Sequence, residues 1–438
     1  MFCNTVWNGL HILPDGYIRL CSLGSNSDPE LDMQRCRDEH GNVMHILTHS
    51  IKDIMNSDKH REVRLFNLNN PTAWSPHCDC CENRERMVDF DRNHPNKSRR
   101  IYLMKVEPDI SEHNHADSMD EQGRIDWMPS SLDIRFGNLC NQKCIMCSPV
   151  FSNMWYDEYF QYYPDLKFGQ GKPINIVKNI DSGKWTMPEE LQWFEDPRWW
   201  VKFEEMAPFL KHIYITGGEP MVAPAHDIML DKLIELGYAK NIWLEYDTNA
   251  SAINDKIAQR WKNFKKVDIR VSMDSTKAEY ELIRFPGNWD TFTKNVMRLK
   301  EYELSSNGII TISRLTACFQ IATALSIVES EEWCKSIGVA FHIRFLEGPA
   351  HHSVDSLPDS AKLYLIDFYS PYEKTSSKAK MIISHLKNQL GKDFHKPDAI
   401  LEFSKFMDYL DSTRHTDWRQ TLTGVEALTL SSEDIICP

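Results

Sequence analysis

The chain has 438 residues, enough for about two or three domains, and 42% of them are hydrophobic while 26% are charged. This balance excludes a disordered chain and a collagen-like fibre. Acidic residues outnumber basic residues by 63 to 50, and the resulting net charge of -13 argues against nucleic acid as a general partner.

The beginning of the chain lacks the basic segment and long apolar run of a secretion signal. The best later apolar stretch, IATALSIV, is much shorter than the roughly 18 residues that a membrane span needs. We therefore expect a soluble cytoplasmic protein that makes no membrane contact and keeps its twelve cysteines reduced. Four isolated cysteines are most simply small apolar residues: Cys36, Cys318, Cys334 and Cys437.

The first hundred residues have a cysteine-rich pattern. Cys3 and Cys21 flank a predicted hairpin that turns at residues 14–16 (Pro-Asp-Gly), and a helix is predicted over residues 51–66. A C-x2-C pair follows at Cys78 and Cys81. Two cysteines on a hairpin and a C-x2-C pair can converge into a four-thiolate site, for which zinc and a 4Fe-4S cluster are both admissible.

Strand and helix patterns alternate along the middle of the chain. Six segments have the β-branched and aromatic bias of buried strands: 131–136, 211–216, 241–247, 267–273, 310–320 and 340–346. The helical patterns between them predict parallel strands joined by crossovers, with the ligand site at the carboxyl ends of the strands. Three further helical patterns follow the last strand, and they predict a terminal helical cap.

Three cysteines with the spacing C-x3-C-x2-C directly follow the first of these strands. They are Cys140, Cys144 and Cys147, in the run GNLCNQKCIMCSP. Structural zinc and 4Fe-4S clusters usually have four protein ligands, so three cysteines in one tight loop leave one metal position open for chemistry. A structural zinc site that borrows a fourth ligand is the alternative interpretation.

The run CNQKCIMC resembles the signature loop of the radical SAM (S-adenosylmethionine) superfamily. The resemblance implies that the three cysteines hold a 4Fe-4S cluster whose open iron is chelated by SAM. Met146 stands where the family often has an aromatic residue near the adenine. The later run ITGGEP resembles the family's GGEP motif, in which Gly217 and Gly218 would let the backbone approach SAM while Glu219 accepts from its ammonium group.

Two further strand ends carry polar residues at positions where related enzymes bind the ribose and carboxylate of SAM. The runs YDTNA and SMDS close the third and fourth predicted strands, and a nearby arginine has a planar fork suited to a carboxylate. The resemblance assigns SAM contacts to Thr248, Asn249, Ser272, Asp274 and Arg284.

The amino-terminal cysteine pattern resembles the twitch and SPASM auxiliary-cluster modules of many radical SAM enzymes. The module here precedes the barrel, whereas in most of these enzymes it follows. The resemblance implies one auxiliary 4Fe-4S cluster, and a zinc ribbon is the alternative. The implied ligands are Cys3, Cys21, Cys78 and Cys81, with Cys80 competing for the last place.

The resemblance as a whole implies an α/β fold: a partial (β/α)6 TIM-like barrel with a small cysteine-rich α+β module before it and a helical extension after it. The predicted segments are an auxiliary-cluster module (1–100), a linker (101–130), the barrel (131–350, with an insertion over 153–205) and the helical extension (351–438).

The implied function is reductive cleavage of SAM to a 5′-deoxyadenosyl radical, which abstracts a hydrogen atom from a substrate. By analogy with other enzymes that carry such modules, the substrate would be a peptide or protein. The electron would come from an external reductant of the flavodoxin or ferredoxin type. A small-molecule dehydrogenase, a zinc-stabilised binding protein and a cluster-bearing electron carrier or sensor are the alternatives.

Overall fold

The computed structural model describes residues 3–21, 34–78, 118–165, 176–183, 185–186, 188–392 and 394–429. The chain divides into two compact units. The first unit comprises Met1–Leu139, Lys167–Tyr246 and Asp255–Val267, and the second comprises Cys140–Leu166, Asp247–Asn254 and Asp268–Pro438.

The fold is mixed α/β, built on one mainly parallel sheet of eight strands in the order β10-β9-β8-β7-β6-β3-β1-β2. Strands β4 and β5 form a separate antiparallel pair. The strands are β1 Gly9–Ile12, β2 Ile18–Arg19, β3 Ser131–Ile134, β4 Val177–Lys178, β5 Trp185–Thr186, β6 His212–Ile215, β7 Trp243–Thr248, β8 Lys266–Ser272, β9 Ile310–Phe319 and β10 Phe341–Phe345.

Helices alternate with the strands of the main sheet and continue after its last strand. In the described ranges they are α1 Thr5–Asn8, α2 Ile51–Met55, α3 Asp58–Asn69, α4 Tyr156–Tyr162, α5 Pro197–Met206, α6 Pro224–Glu235, α7 Asp255–Trp261, α8 Lys277–Ile283, α9 Trp289–Ser305, α10 Ile327–Ser336, α11 Asp359–Tyr369, α12 Ser377–Lys387, α13 Pro397–Arg414, α14 Trp418–Thr421 and α15 Val425–Thr429. None of these described helices is long and apolar enough to cross a membrane.

In the first unit, the amino-terminal hairpin joins the sheet through strand β1. Strand β1 pairs antiparallel with β2 and parallel with β3, with Gly9 opposite Ser131 and Ile12 opposite Ile134. The hairpin turn needs a glycine, because a Cβ on Gly16 (φ +76°) would lie 2.4 Å from the Nε2 of His45. The predicted hairpin at residues 14–16 is therefore confirmed.

Strand β6 of the first unit is buried along its whole length, between the parallel strands β3 and β7. A strand that is covered on both faces reads as a continuous apolar run rather than an alternating one. The segment 211–216 (KHIYIT) has this character, and the strand predicted there is present. The other five predicted strands are present as well, as β3, β7, β8, β9 and β10.

In the second unit, the carboxyl-terminal helices pack beside strands β9 and β10. These strands are parallel, with Phe345 opposite Phe319. The ring of Phe345 stacks on His385 of helix α12 at 3.8 Å between centroids, and the hydroxyl of Tyr369 donates to the carbonyl oxygen of Ala324 at 2.7 Å. The predicted helical cap is therefore present, whereas the boundaries of the four predicted segments stay a prediction.

Candidate functional site

The cysteine loop, residues 140–147, has its backbone hydrogen-bonded to the end of helix α8 and the turn after it. The amide of Lys143 donates to the carbonyl oxygen of Phe285 at 2.7 Å, and the amide of Ile145 donates to that of Ile283 at 2.9 Å. These main-chain bonds fix the backbone of the loop against the end of helix α8.

The three thiols of this loop are half-buried. Desolvation raises the pKa of Cys144. Desolvation also raises the pKa of Cys147, and the nearby charges of Cys144 and Cys140 raise it further. Thiolates in such a place need a cationic group to stabilise them, and an iron-sulfur cluster supplies one. The donor set therefore fits a cluster with one thiolate on each of three irons.

A buried ion pair lies beside Cys144. The Nη2 of Arg284 is 2.7 Å from the Oδ2 of Asp274, and the Nη1 of Arg284 is 3.8 Å from the Sγ of Cys144. The other carboxylate oxygen of Asp274 accepts from the amide of Cys318 at 2.7 Å. Two residues that the resemblance assigned to SAM thus contact each other, and one of them, Arg284, also contacts the cysteine loop.

Arg284 keeps its positive charge in this buried place. Burial alone would lower the pKa of the guanidinium, but Asp274 and the Cys144 thiol outweigh burial and raise it. The Nε–H of Arg284 has no hydrogen-bond partner in the described part of the chain. An unused buried donor next to Cys144 is suited to an anionic group such as a carboxylate.

The predicted polar residues after strand β7 contact the cysteine loop. The side-chain Nδ2 of Asn249 donates to the Oδ1 of Asn141 at 3.0 Å, and the Nδ2 of Asn141 donates to the hydroxyl oxygen of Ser251 at 2.7 Å. The hydroxyl of Thr248 accepts from the amide of Ala250 at 3.0 Å, which shapes the turn. Asn249 is therefore tied to a residue that directly follows Cys140.

Two further predicted residues are partly accessible in the second unit. Ser272 is the last residue of strand β8, and Met146 lies in the cysteine loop. Both are half-buried, so a bound molecule could contact either side chain.

The glycine pair of the GGEP motif lies in the first unit, against the residue that directly precedes Cys140. A Cβ on Gly218 (φ +49°) would lie 2.2 Å from the carbonyl oxygen of Leu139, and Gly217 also has a positive φ, +78°. The amide of Glu219 donates to that same carbonyl oxygen at 2.8 Å. The close approach of two backbones explains why glycine is needed here.

Sequence reasoning missed a buried arginine that braces the cysteine loop. The guanidinium of Arg414, at the end of helix α13, lies 2.7 Å from the carboxylate of Glu158 and donates to the carbonyl oxygen of Lys143 at 3.3 Å. It also lies over the ring of Trp155, whose indole N–H donates to the carbonyl oxygen of Cys144 at 3.2 Å. The only available signal was that Arg414 ends a predicted helix.

The amino-terminal cysteines lie in the first unit, and Gln34 links two of their neighbourhoods. The amide of Leu20 donates to the carbonyl oxygen of Gln34 at 2.9 Å, and the side-chain amide of Gln34 donates to the carbonyl oxygen of His77 at 2.5 Å. The residues after Leu20 and His77 are Cys21 and Cys78, so this bridge brings the two cysteines into one region. Cys3, Cys21 and Cys78 are half-buried, whereas Cys80 and Cys81 lie outside the described residues.

No group of three or more His, Cys, Asp or Glu side chains that could hold one metal ion occurs in the described ranges. A 4Fe-4S cluster has a different requirement, because each thiolate binds its own iron atom. Thiolates on a cluster are therefore spread more widely than ligands that surround one ion.

Two family models match the chain. Residues 134–317 match the radical SAM superfamily, and residues 3–82 match an iron-sulfur cluster-binding domain, SPASM. The first match runs from the last residue of strand β3 into strand β9 and includes the cysteine loop and the GGEP motif, and the second includes the amino-terminal cysteines. The site is thus of the SAM-binding iron-sulfur class.

Residues 134–317 thus match a radical SAM domain, and an amino-terminal auxiliary-cluster module precedes it. The cofactors of the chain are accordingly a 4Fe-4S cluster, SAM and an auxiliary iron-sulfur cluster. A comparison with curated protein sequences found no match.

Solved structures with partial likeness include two complexes with S-adenosylmethionine. One is native anSMEcpe with bound AdoMet and Cp18Cys peptide, with 15% identity and a TM-score of 0.34 over 56% of this chain and 60% of that chain. Another is Streptococcus suis SuiB bound to S-adenosylmethionine, with 15% identity and a TM-score of 0.35 over 72% of this chain and 63% of that chain. The chain thus spans about three fifths of the length of these structures.

Proposed function

We propose that this protein cleaves SAM reductively and uses the resulting radical to modify a peptide or protein. The observation that carries the proposal is the buried Arg284 beside Cys144, in a three-cysteine loop that falls within the radical SAM match. Cys140, Cys144 and Cys147 would hold a 4Fe-4S cluster, which when reduced would supply the electron for cleavage of SAM to methionine and a 5′-deoxyadenosyl radical that abstracts a hydrogen atom from the substrate.

The chain's own residues bind and orient SAM in this proposal. The unused Nε–H of Arg284 donates to the carboxylate of SAM, and Asp274 keeps the guanidinium in place. The backbone at Gly217 and Gly218 contacts the methionine part of SAM in this proposal, and the Glu219 carboxylate accepts from its ammonium group.

The remaining polar and apolar residues contact the nucleoside part of SAM. Thr248, Asn249 and Ser272 stand at strand ends, where they hydrogen-bond the ribose hydroxyls, and Met146 packs near the adenine.

The choice of a peptide or protein as substrate rests on the amino-terminal module. Such auxiliary-cluster modules are frequent in enzymes that modify peptides. The auxiliary cluster would be held by Cys3, Cys21, Cys78 and Cys81. The protein would work in the cytoplasm, where an external one-electron donor of the flavodoxin or ferredoxin type reduces the cluster.

Anaerobic reconstitution with iron, sulfide, SAM and a reductant tests the proposal. The protein should form 5′-deoxyadenosine, and Cys144→Ala should abolish the product. The matched control is Cys334→Ala, which removes a buried thiol of helix α10 outside the cysteine loop and should leave the product unchanged. Continued formation of 5′-deoxyadenosine by the Cys144 variant would refute the assignment.

Deuterium transfer separates the substrate classes. Labelled candidate peptides should pass deuterium to 5′-deoxyadenosine, whereas transfer from small metabolites alone would assign the enzyme to the small-molecule dehydrogenases. Bound zinc without iron would instead favour a metal-stabilised binding protein.

A further inference from the structure

A cavity lies in the first unit, at the amino ends of the strands, whereas the GGEP motif follows the carboxyl end of strand β6. It has a volume of about 840 Å³ and is lined by residues that precede strands, among them Ser130 before β3, Lys211 before β6 and Lys265 before β8. Strand β6 leads from Lys211 to Gly217, a distance of about 20 Å at the usual rise per residue. The cavity is therefore separate from the GGEP motif, and its volume is within the range of ligand sites.

The charges around this cavity are of one sign. Its charged lining residues within the described chain are Lys211, Lys240 and Lys265, all exposed, and no acidic side chain lines it. The chain as a whole has a net charge of -13. A local cationic site on an acidic protein attracts anionic groups while the rest of the surface repels them.

The cavity also has an apolar wall that is already in place. The indole N–H of Trp127 donates to the carbonyl oxygen of Trp7 at 3.1 Å and to the Oδ1 of Asn8 at 3.2 Å, and its ring stacks on that of Trp7. Phe209 also lines the cavity and is 50% exposed. An exposed aromatic side chain and an indole fixed by hydrogen bonds offer contact area for apolar groups.

The backbone of two of these lysines, Lys211 and Lys265, is hydrogen-bonded to neighbouring segments of the first unit. The amide of Lys211 donates to the carbonyl oxygen of Ser130 at 2.8 Å, and its own carbonyl oxygen accepts from the amide of Trp243 at 2.9 Å. The amide of Lys265 donates to the carbonyl oxygen of Ile242 at 3.0 Å. A ligand would thus meet a site whose main chain is fixed before binding.

We propose that this cavity binds an acidic segment of a polypeptide that also carries apolar side chains. Three ammonium groups on separate chain segments suit several separate carboxylates. No arginine lines the described cavity, so the bidentate contacts that favour one compact phosphate are missing from it. The apolar wall of Trp127 and Phe209 receives the side chains between the carboxylates.

Fluorescence anisotropy with a short fluorescein-labelled peptide of Glu, Asp and Leu tests this proposal on the cluster-loaded protein. No SAM or reductant is added, so the result does not depend on the proposed reaction. The peptide should bind, and binding should weaken as salt is raised from about 50 to about 300 mM. A peptide in which Gln and Asn replace the acids should bind at least about tenfold more weakly.

A charge-matched pair of triple variants locates the site. Lys211→Glu with Lys240→Glu and Lys265→Glu should weaken binding of the acidic peptide about tenfold or more. The control triple is Lys256→Glu with Lys262→Glu and Lys294→Glu. These lysines are exposed and do not line the cavity, so the control should change the affinity less than about twofold.

The apolar part of the proposal has its own variant. Phe209→Ser should weaken binding of the Leu-containing peptide and leave a peptide with Gln in place of Leu unaffected. Equal losses in the two triple variants, or no binding of the acidic peptide, would overturn the proposal. Binding of ATP in place of the peptide would overturn it too, by assigning the cavity to a phosphate ligand.

Discussion

Arg414 donates a hydrogen bond to the backbone carbonyl oxygen of Lys143, a residue 271 positions earlier in the cysteine loop, at 3.3 Å. The same guanidinium contacts the carboxylate of Glu158 at 2.7 Å, and that carboxylate also pairs with the ammonium group of Lys143. The end of helix α13 thus holds the cysteine loop through both its main chain and a charged side chain.

Arg414→Gln should destabilise the protein and loosen the cysteine loop. Breaking a buried pair costs about 3 to 5 kcal/mol, and we expect the lower end because Lys143 still neutralises Glu158. Thermal unfolding and the iron retained after gel filtration measure the two effects. The control is Arg419→Gln, which breaks exposed ion pairs and should cost about 1 kcal/mol or less. Full iron retention in the Arg414 variant would show that the brace does not position the loop.

Gly218→Ala should disrupt SAM binding. The new Cβ would lie 2.2 Å from the carbonyl oxygen of Leu139, so the backbone of the turn must move. Gly237→Ala is a matched control, because Gly237 also has a positive φ (+77°) but open space around its Cβ position. An alanine with a positive φ destabilises both variants by about 1 to 2 kcal/mol. Only Gly218→Ala adds a steric clash with the carbonyl oxygen of Leu139. Calorimetric titration with SAM distinguishes them, and equal affinities would contradict the expected role of the turn.

Cys21→Ala should remove the auxiliary cluster and leave the cluster of the cysteine loop intact. Iron should fall from about eight to about four atoms per chain. Cys81→Ala should have the same effect, whereas Cys80→Ala should not. Iron, sulfide and zinc analysis of anaerobically purified protein provides the measurement. One bound zinc lost from the Cys21 variant, with no change in iron, would identify a zinc site instead.

Two histidines, the half-buried His45 and the buried His60, should make the protein less stable as the pH falls below about 6.5. Burial lowers the pKa of His45 to about 4 and that of His60 to about 3. The unfolded chain therefore binds protons that the native state excludes, and stability present above pH 6.5 is lost as the pH falls. Each histidine should contribute a slope of about 1 kcal/mol per pH unit near pH 5.5.

Anaerobic urea unfolding between pH 7 and about 5 measures this slope. His45→Gln and His60→Gln should each make the dependence shallower, because neither replacement takes up a proton in this range. An unchanged slope in both variants would contradict the assignment.

Local patterns were sufficient to predict most of the secondary structure. The six strands and the intervening helices follow apolar periodicity, a property of neighbouring residues that survives without knowledge of the fold. The helix predicted over residues 51–66 is divided in the structure at Ser57, whose side chain accepts from the amide of His60 and caps the second half. The break was missed because a cap inside an apolar pattern is a weak signal.

Some residues of the candidate site could likewise be predicted from the sequence, whereas the contacts between them could not. Cys140, Cys144 and Cys147 could be predicted as cluster ligands because such a loop has its ligands in a short run with fixed spacing, and this assignment stays a prediction. Arg284 was predicted as a SAM contact, but its pairing with Asp274 depends on two segments meeting in space.

The sequence by itself determined the cofactor class and the order of strands and helices, and it supplied the cysteines proposed to bind iron, since each of these is set by residues close together along the chain. Only the tertiary structure decided that strand β1 pairs with β3, that Gln34 links the regions of Cys21 and Cys78, and that Arg414 braces the cysteine loop. The physical reason is that these contacts join distant residues through single hydrogen bonds and ion pairs, which leave no period or spacing in the sequence. The lysine-lined cavity likewise exists only because parallel strands bring their amino ends together.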